Sequence, residues 1–247
     1  MNHFINGMVR ATVETFAFPS PILEIGSYQV PGQSELAELR SLFPGQDYVG
    51  VDIRSGSGVD CVASVEQLPQ SSASVGTVLA LNTFEHVARF WRGFEEIQRV
   101  LRSDGALLIS CPFYFHIHNH PSDYWRFTPE ALDSLLQDYP SRIIGWQGHR
   151  HKPLHVWAVA FREDYPAIDE TQVDQYRQAL TRLAKQPMSW PRKLRYQLGR
   201  IVAGRRPFVP YLDQEKWEIV CHPSLAPKDK SPVTRHCQSA AKLMKSM

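Results

Sequence analysis

Short apolar runs alternate with amphipathic segments over residues 8–162, and this alternation restricts the fold more than any other feature of the chain. Each run is short enough for a strand and too short for a helix. The predicted strands lie at 21–25, 48–53, 75–81, 106–113, 141–149 and 154–161. The predicted helices have apolar residues at helical spacing and lie at 3–17, 34–43, 90–102 and 129–139. Apolar strands that alternate with helices predict an α/β fold, with a mostly parallel sheet covered by helices on both faces.

The net charge of +2 is distributed unevenly along the 247 residues. Residues 1–165 carry 12 Lys and Arg against 18 Asp and Glu, whereas residues 166–247 carry 15 against 7. An acidic body followed by a basic segment indicates two parts with different surfaces. We therefore predict a domain over 1–165, a helical basic extension over 166–222 and a flexible tail over 223–247.

Cysteine usage and hydropathy indicate a cytoplasmic protein. Cys61, Cys111, Cys221 and Cys237 form no CxxC pair, so they suit reduced thiols better than a disulfide framework. No apolar run approaches the roughly 20 residues that span a bilayer, and no signal-peptide pattern opens the chain. We expect a cytoplasmic location, with peripheral attachment to a membrane left open.

Two residues at strand ends indicate a binding site. Gly26 directly follows the first predicted strand, where a glycine lets the backbone turn tightly and approach a ligand. Asp52 stands at the end of the second strand, where an acid is placed to accept hydrogen bonds from a ribose diol. Either residue alone is more often structural, but together in one strand order they favour a nucleoside-containing ligand.

Six motifs in order resemble the class I S-adenosylmethionine-dependent methyltransferases, of the kind called methyltransferase type 11. They are LEIGS, YVGVDI, EQLP, FEHV, RVLRSDG and PSDYWRFTPEAL, and they cover about residues 8–162. The resemblance implies a Rossmann-like, mostly parallel seven-stranded sheet whose last strand is antiparallel. It also implies S-adenosyl-L-methionine as the cofactor.

The resemblance assigns cofactor contacts to particular residues. Glu24, Gly26 and Ser27 correspond to the cofactor loop, and Asp52 to the acid that binds the ribose. The other implied cofactor contacts are Ile53, Ser64 and Val65 near the adenine and Asn82 at the methionine end.

The cofactor loop departs from the family pattern G-x-G-x-G. Tyr28 occupies the position of the second glycine and Val30 that of the third, while Gly32 is displaced by two residues. The loop instead resembles a subgroup with the pattern G-S-x-x-V-P-G-Q. This departure motivates an alternative function, a non-catalytic S-adenosylmethionine-binding regulatory or scaffold protein.

The stretch FYFHIHNHPSDYWRF (113–127) follows the predicted strand 106–113, so it should overhang the acceptor pocket. Alternating His116, His118 and His120 could suit zinc on an extended segment, but Pro121 indicates a turn and methyl transfer needs no metal. We therefore expect no metal site. A structural covering of the sheet edge is the preferred interpretation for Trp125 and Phe127.

A catalytic lid is the interpretation we favour for the rest of this stretch. His120 is the candidate general base, because a histidine near neutral pH can accept the proton of the acceptor. Asp123 is the second candidate catalytic residue and would orient that histidine. The resemblance assigns His86, Tyr124 and Arg126 to acceptor binding.

The segment 189–208 carries six Lys and Arg and no acid between residues 192 and 206. A solvated basic helix packed on the domain is the commonest explanation of such a run. The more specific interpretation is a docking surface for an anionic membrane or a phosphate-bearing substrate. Nucleic acid is an unlikely partner, because the body of the chain is acidic.

These features together predict a methyltransferase that acts on an oxygen or nitrogen of a small-molecule or glycan acceptor. A nicotinamide-dependent oxidoreductase shares the arrangement of strand, turn and acid, but it leaves FEHV and RVLRSDG unexplained.

Overall fold

Eight strands form one sheet in the computed structural model, which describes residues 2–32, 34–118, 121–186, 188–204 and 209–222. The strands are β1 (Ile22–Ile25), β2 (Tyr48–Asp52), β3 (Cys61–Val62), β4 (Val75–Leu81), β5 (Leu101–Pro112), β6 (Ser141–His149), β7 (Lys152–Phe161) and β8 (Trp217–His222). The helices are α1 (His3–Thr15), α2 (Ser34–Ala37), α3 (Phe90–Val100), α4 (Pro129–Leu135), α5 (Glu170–Leu183), α6 (Trp190–Ala203) and α7 (Val209–Leu212). Short 3₁₀ turns lie at Arg40–Leu42 and Phe84–His86. The predicted tail, 223–247, lies outside the described residues.

The strand order is β3-β2-β1-β4-β5-β7-β6-β8. Strands β1 to β5 pair in parallel, and β7 runs antiparallel to both β5 and β6. The prediction of an α/β fold with a mostly parallel sheet and an antiparallel strand near its end is confirmed. Strands β1 and β4 are adjacent, but the next strand along the chain lies on opposite sides of the pair, β2 beside β1 and β5 beside β4. Their carboxyl ends therefore open a crevice of the kind that binds ligands.

The prediction of seven strands is wrong, because β8 extends the sheet beyond β6. This strand comes from residues 217–222, which the sequence assigned to the helical extension. Its pattern alternates, with Trp217, Ile219 and Cys221 packed against the core and Glu218 and Val220 exposed. Such alternation over six residues is typical of an edge strand. The sequence prediction missed it because the segment follows directly after the basic helices.

Two apolar layers cover the two faces of the sheet. One layer joins α3 and α4 to the sheet through residues such as Ile97 and Leu132. The other joins α1 and α5, and it buries Tyr176 and Leu180 of α5 completely. The first helix of the predicted extension, α5, is therefore part of the core. No helix among the described residues is long and apolar enough to cross a membrane.

The predicted helix over 34–43 is divided into α2 and a 3₁₀ turn. Glu38 Oε2 accepts a hydrogen bond from Ser41 N (3.3 Å), and such a local side-chain bond competes with the helical hydrogen-bond ladder. Leu39 and Phe43 are nevertheless buried, as their spacing predicted. The predicted start of α4 is confirmed, because Thr128 Oγ1 accepts a hydrogen bond from Ala131 N (3.0 Å) ahead of Pro129.

Candidate active site

A cavity of about 680 Å³ opens at the carboxyl ends of β1, β2 and β4. This volume falls in the range of about 300–1,000 Å³ typical of small-molecule sites. All eight residues assigned to the cofactor line it: Glu24, Gly26, Ser27, Asp52, Ile53, Ser64, Val65 and Asn82. The sheet topology brings them together because they lie at or just after the carboxyl ends of parallel strands, which meet at one edge of the sheet.

Gly26 makes the turn from β1 into the cavity. Its φ of 78° lies in the left-handed region, which only glycine adopts without strain. A Cβ atom at this position would lie 2.2 Å from Thr83 Oγ1. Thr83 Oγ1 donates a hydrogen bond to Ile25 O (3.0 Å), so the loop after β4 is fastened to the end of β1. Glycine is therefore required here both by the backbone conformation and because a Cβ atom would clash with Thr83.

Tyr28 stands where the family pattern has its second glycine, and the loop is still hydrogen-bonded to β2 at this residue. Its backbone N donates a hydrogen bond to Asp52 Oδ2 (3.3 Å). Its ring packs on the Cα of Gly56, where a Cβ atom would lie 2.4 Å from the ring. The Arg54 guanidinium lies over the same ring, 4.3 Å from its centroid. Tyr28, which departs from the family pattern, is therefore held in place by contacts of its own.

Asp52 is held in a fixed orientation at the cavity wall. Its Oδ1 accepts a hydrogen bond from Arg54 N (3.0 Å) while Oδ2 accepts the one from Tyr28 N. Oδ1 also accepts a longer hydrogen bond from Arg54 Nε (3.5 Å). Each carboxylate oxygen has two acceptor sites, so Oδ2 keeps capacity for a ligand hydroxyl. Ile53 beside it is half exposed and lines the same cavity.

Glu24 is a buried carboxyl at the inner end of the cavity. Its Oε2 accepts a hydrogen bond from the Tyr48 hydroxyl (2.7 Å). Burial disfavours the charged form and raises the pKa of Glu24 to about 7, against the opposing effect of the Tyr48 hydrogen bond. The buried site therefore favours the protonated form of this carboxyl more than water does.

Asn82 adopts a left-handed backbone conformation at the end of β4, with φ of 53°. Its Oδ1 accepts a hydrogen bond from Ser110 Oγ (3.0 Å), and its N donates one to Ser110 O (2.8 Å). Such a backbone conformation is uncommon outside glycine and is concentrated at functional sites. The strand end is thus shaped to present Asn82 to the cavity.

The segment after Ser122 is fastened to the 3₁₀ turn Phe84–His86. Tyr124 N and Trp125 N both donate hydrogen bonds to Glu85 O, at 2.7 and 3.2 Å. His86 donates a hydrogen bond from Nδ1 to Ser122 O (2.5 Å). These bonds place His86 and Tyr124, both assigned to the acceptor, in the lining of the cofactor cavity. Phe127 is buried in the core, as the structural interpretation proposed.

Asp123 and Arg126 lie behind this wall and are not part of the cavity lining. The two side chains form a bidentate ion pair, and Asp123 Oδ2 also lies 3.0 Å from His118 Nδ1. The Arg126 guanidinium holds the pKa of Asp123 well below its usual range. His120, the candidate base that Asp123 was expected to orient, lies outside the described residues, while its neighbours His118 and Pro121 line the cavity.

Three further residues of the site received no assigned role from the sequence. Glu85 is fully buried beside His86, and burial raises its pKa to about 8. His118, which the sequence offered only as one of three alternating histidines, packs edge-on against His86 with 4.8 Å between the ring centroids. His155 of β7 is buried in the cavity lining, and burial lowers its pKa to about 4. The FEHV motif is a sequence signal for the first of these, but the other two depend on chain segments far apart.

Comparison with known proteins agrees with this geometry. Residues 31–109 match the family model described as a methyltransferase domain. No curated protein matches the sequence closely enough to count as a relative.

Solved structures match the chain at low sequence identity, and the first of them shares its fold. A SAM-dependent methyltransferase from Archaeoglobus fulgidus is 12% identical, with 64% of this chain and 93% of that chain covered and a TM-score of 0.51. The 1,6-didemethyltoxoflavin-N1-methyltransferase from Burkholderia thailandensis, solved with its acceptor and S-adenosylhomocysteine, is 19% identical over 64% and 79% of the chains, with a TM-score of 0.48. A SAM-dependent methyltransferase from Aquifex aeolicus is 14% identical over 62% and 89%, with a TM-score of 0.44.

The strand order, the cavity at the carboxyl ends of the parallel strands and the match over residues 31–109 lead to one family. Residues 31–109 match a methyltransferase domain, the fold around them is consistent with a class I S-adenosylmethionine-dependent methyltransferase, and both support S-adenosyl-L-methionine as the cofactor.

Proposed function

We propose that this protein transfers the methyl group of S-adenosylmethionine to an oxygen or nitrogen of a small-molecule or glycan acceptor. The supporting observation is that one cavity is lined both by the residues assigned to the cofactor and by His86 and Tyr124, assigned to the acceptor. A sulfonium is already an activated methyl donor. Holding the nucleophile in line with it therefore supplies most of the rate acceleration.

The test of this function has a binding stage and a turnover stage. In titration calorimetry of the full chain, S-adenosylhomocysteine should bind with a micromolar dissociation constant and NAD should not bind. NAD binding alone would support the nicotinamide-dependent oxidoreductase. In the second stage, methyl-labelled cofactor and a small-molecule extract should yield a labelled product detectable by mass spectrometry. Cofactor binding without any transfer to a broad set of acceptors would support the non-catalytic regulatory or scaffold protein.

Helix α6 supports a further part of the proposal, because it exposes its apolar row. Trp190, Leu194, Leu198 and Ile201 recur at helical spacing, and Trp190 and Ile201 are 74% and 77% exposed. The polar side of the helix holds it to the protein. Tyr196 stacks on Tyr211 with 5.6 Å between centroids, while Lys193 Nζ lies 2.9 Å from Glu215 Oε1.

We propose that α6 docks on an anionic lipid surface. Its sequence has no acid, and among the described residues no carboxylate pairs with Arg192, Arg195 or Arg200. A helix with an apolar row and unneutralised basic residues is typical of one that lies in a membrane interface. Each such basic residue adds about 1 kcal/mol of attraction to an anionic leaflet. Arg205 and Arg206, part of the predicted docking segment, lie outside the described residues.

Vesicle flotation tests the docking surface. The full chain should float with vesicles that contain phosphatidylserine and remain below with purely zwitterionic vesicles. Ile201→Asp together with Val202→Asp should lower the bound fraction at least tenfold, because one charge enters the apolar row and the other lies beside it at an exposed residue. Val62→Asp, at an exposed apolar residue of β3, is the matched control and should bind like the original chain. Equal binding of the double variant would overturn the proposal, and attachment that inorganic phosphate abolishes would indicate a phosphate-bearing substrate instead.

A further inference from the structure

Glu85 is a carboxylate in an unusual environment. Its side chain is fully buried in the 3₁₀ turn after β4, and neither carboxylate oxygen has a hydrogen-bond partner among the described residues. Burying a carboxyl group without such partners costs free energy, so this group calls for a physical explanation, of which a bound ion is one. The electrostatic surroundings of Glu85 include Asp123 and Arg126.

Two histidines lie around this carboxylate. His86 Nε2 is 3.8 Å from Glu85 Oε1, and its other ring nitrogen donates to Ser122 O. His118 packs edge-on against His86, and its Nδ1 lies 3.0 Å from Asp123 Oδ2. One donor atom from each of Glu85, His86 and His118 lies within 4.8 Å of the others, and these are the one such group of three among the described residues.

We infer that Glu85, His86 and His118 bind a divalent first-row transition metal ion. Two imidazoles and one carboxylate are a donor set that such ions prefer. Ligand atoms about 2.1 Å from one ion are at most about 4.2 Å apart, so the widest pair has to close by about 0.6 Å, which side-chain rotation supplies.

The contacts around the two histidines have the form found at metal centres. A ligating histidine usually donates its other ring N–H to a carbonyl or carboxylate, which fixes its orientation. The Ser122 carbonyl does this for His86, and the Asp123 carboxylate is positioned to do it for His118. Asp123 in turn is held by Arg126, so the segment 122–126 supports both histidines.

The position of this site indicates the class of acceptor, on the basis of the proposed function. His86 and His118 line the cofactor cavity, so further coordination positions of the ion would face the acceptor. A bound divalent ion lowers the pKa of a coordinated hydroxyl and makes it a better nucleophile. The oxygen lone pair then forms the bond to the methyl carbon, the carbon–sulfur electron pair returns to sulfur, and the hydroxyl proton leaves to solvent. The acceptor is therefore an oxygen nucleophile, such as a phenol or an alcohol.

Titration of Co²⁺ into the full, chelator-treated chain tests the metal site without any turnover. Calorimetry and visible absorption should report one ion per chain, and Glu85→Gln should weaken binding at least tenfold. His118→Ala should do the same, which keeps the test valid if the first variant does not fold. His116→Ala is the matched control, because His116 is exposed in the same stretch and outside the group of three. It should bind Co²⁺ as the original chain does.

Binding that is insensitive to both ligand substitutions would overturn the inference. Such binding would place the ion elsewhere, for example at the exposed pair His149 and His151. Absence of Co²⁺ binding would overturn it as well. S-adenosylhomocysteine affinity, measured on the same samples, separates this result from the proposed function: intact cofactor binding without metal binding contradicts only the metal site, and the reverse contradicts only the cofactor assignment.

Discussion

Replacement of Asp52 by alanine is expected to weaken S-adenosylhomocysteine binding by about 1.5–3 kcal/mol, the usual worth of hydrogen bonds to a charged group. This corresponds to an increase of about 10- to 150-fold in the dissociation constant. The carboxylate lines the cavity and is oriented by Tyr28 N and Arg54 N, so a ribose diol finds its acceptors already in place. Titration calorimetry on the folded variant measures the effect directly.

Two control variants distinguish the loss of ribose binding from the loss of the hydrogen bonds by which Asp52 supports the loop. Asp52→Asn keeps one acceptor oxygen for the backbone but loses the charge, so its affinity should lie between those of the original chain and the alanine variant. Asp60→Ala removes another acid that binds a backbone amide, at Gly50 N (2.7 Å), outside the cavity lining. It should leave the affinity within about twofold, a change below 0.5 kcal/mol. Unchanged affinity in folded Asp52→Ala would contradict the assignment.

The cofactor side of the cavity could be predicted from the sequence because its determinants are local. Gly26, Asp52 and Asn82 each stand within a residue of the end of a parallel strand, and parallel strand ends meet at one edge of the sheet. Once the apolar runs are assigned to strands, the position of these side chains follows. Tyr28 could not be interpreted in this way, since its supporting contacts come from Arg54 and Gly56 across the loop.

The acceptor side was harder to predict because it depends on the path of a long connection. Residues 113–128 leave β5, and the segment after Ser122 returns to the 3₁₀ turn Phe84–His86, so His118 and Asp123 lie close to Glu85 and His86 despite the separation in sequence. No periodic pattern of apolar residues in the sequence predicts the path of this connection. The eighth strand was missed for a related reason, because pairing of Ile143 with Cys221 is decided by packing between distant segments.

His120→Ala is expected to lower kcat by about 10²- to 10⁴-fold, the usual contribution of a positioned general base. Cofactor affinity should change little, because the residues assigned to the cofactor lie at the ends of β1, β2 and β4. His118 and Pro121, which flank residues 119–120 in the sequence, both line the cavity. His151→Ala, at an exposed histidine in the turn between β6 and β7, is the control and should retain its kcat.

Added imidazole distinguishes a base from a residue that only positions the acceptor. If His120 accepts the proton, imidazole can occupy the space left in the alanine variant and restore kcat in proportion to its concentration. A histidine that only closes over the acceptor gives a different result, in which KM rises, kcat is nearly constant and imidazole has no effect. If a metal ion at Glu85 lowers the pKa of the acceptor instead, His120→Ala should leave kcat nearly unchanged and Glu85→Gln should lower it. The role of His120 as the base therefore requires both the fall in kcat and its rescue.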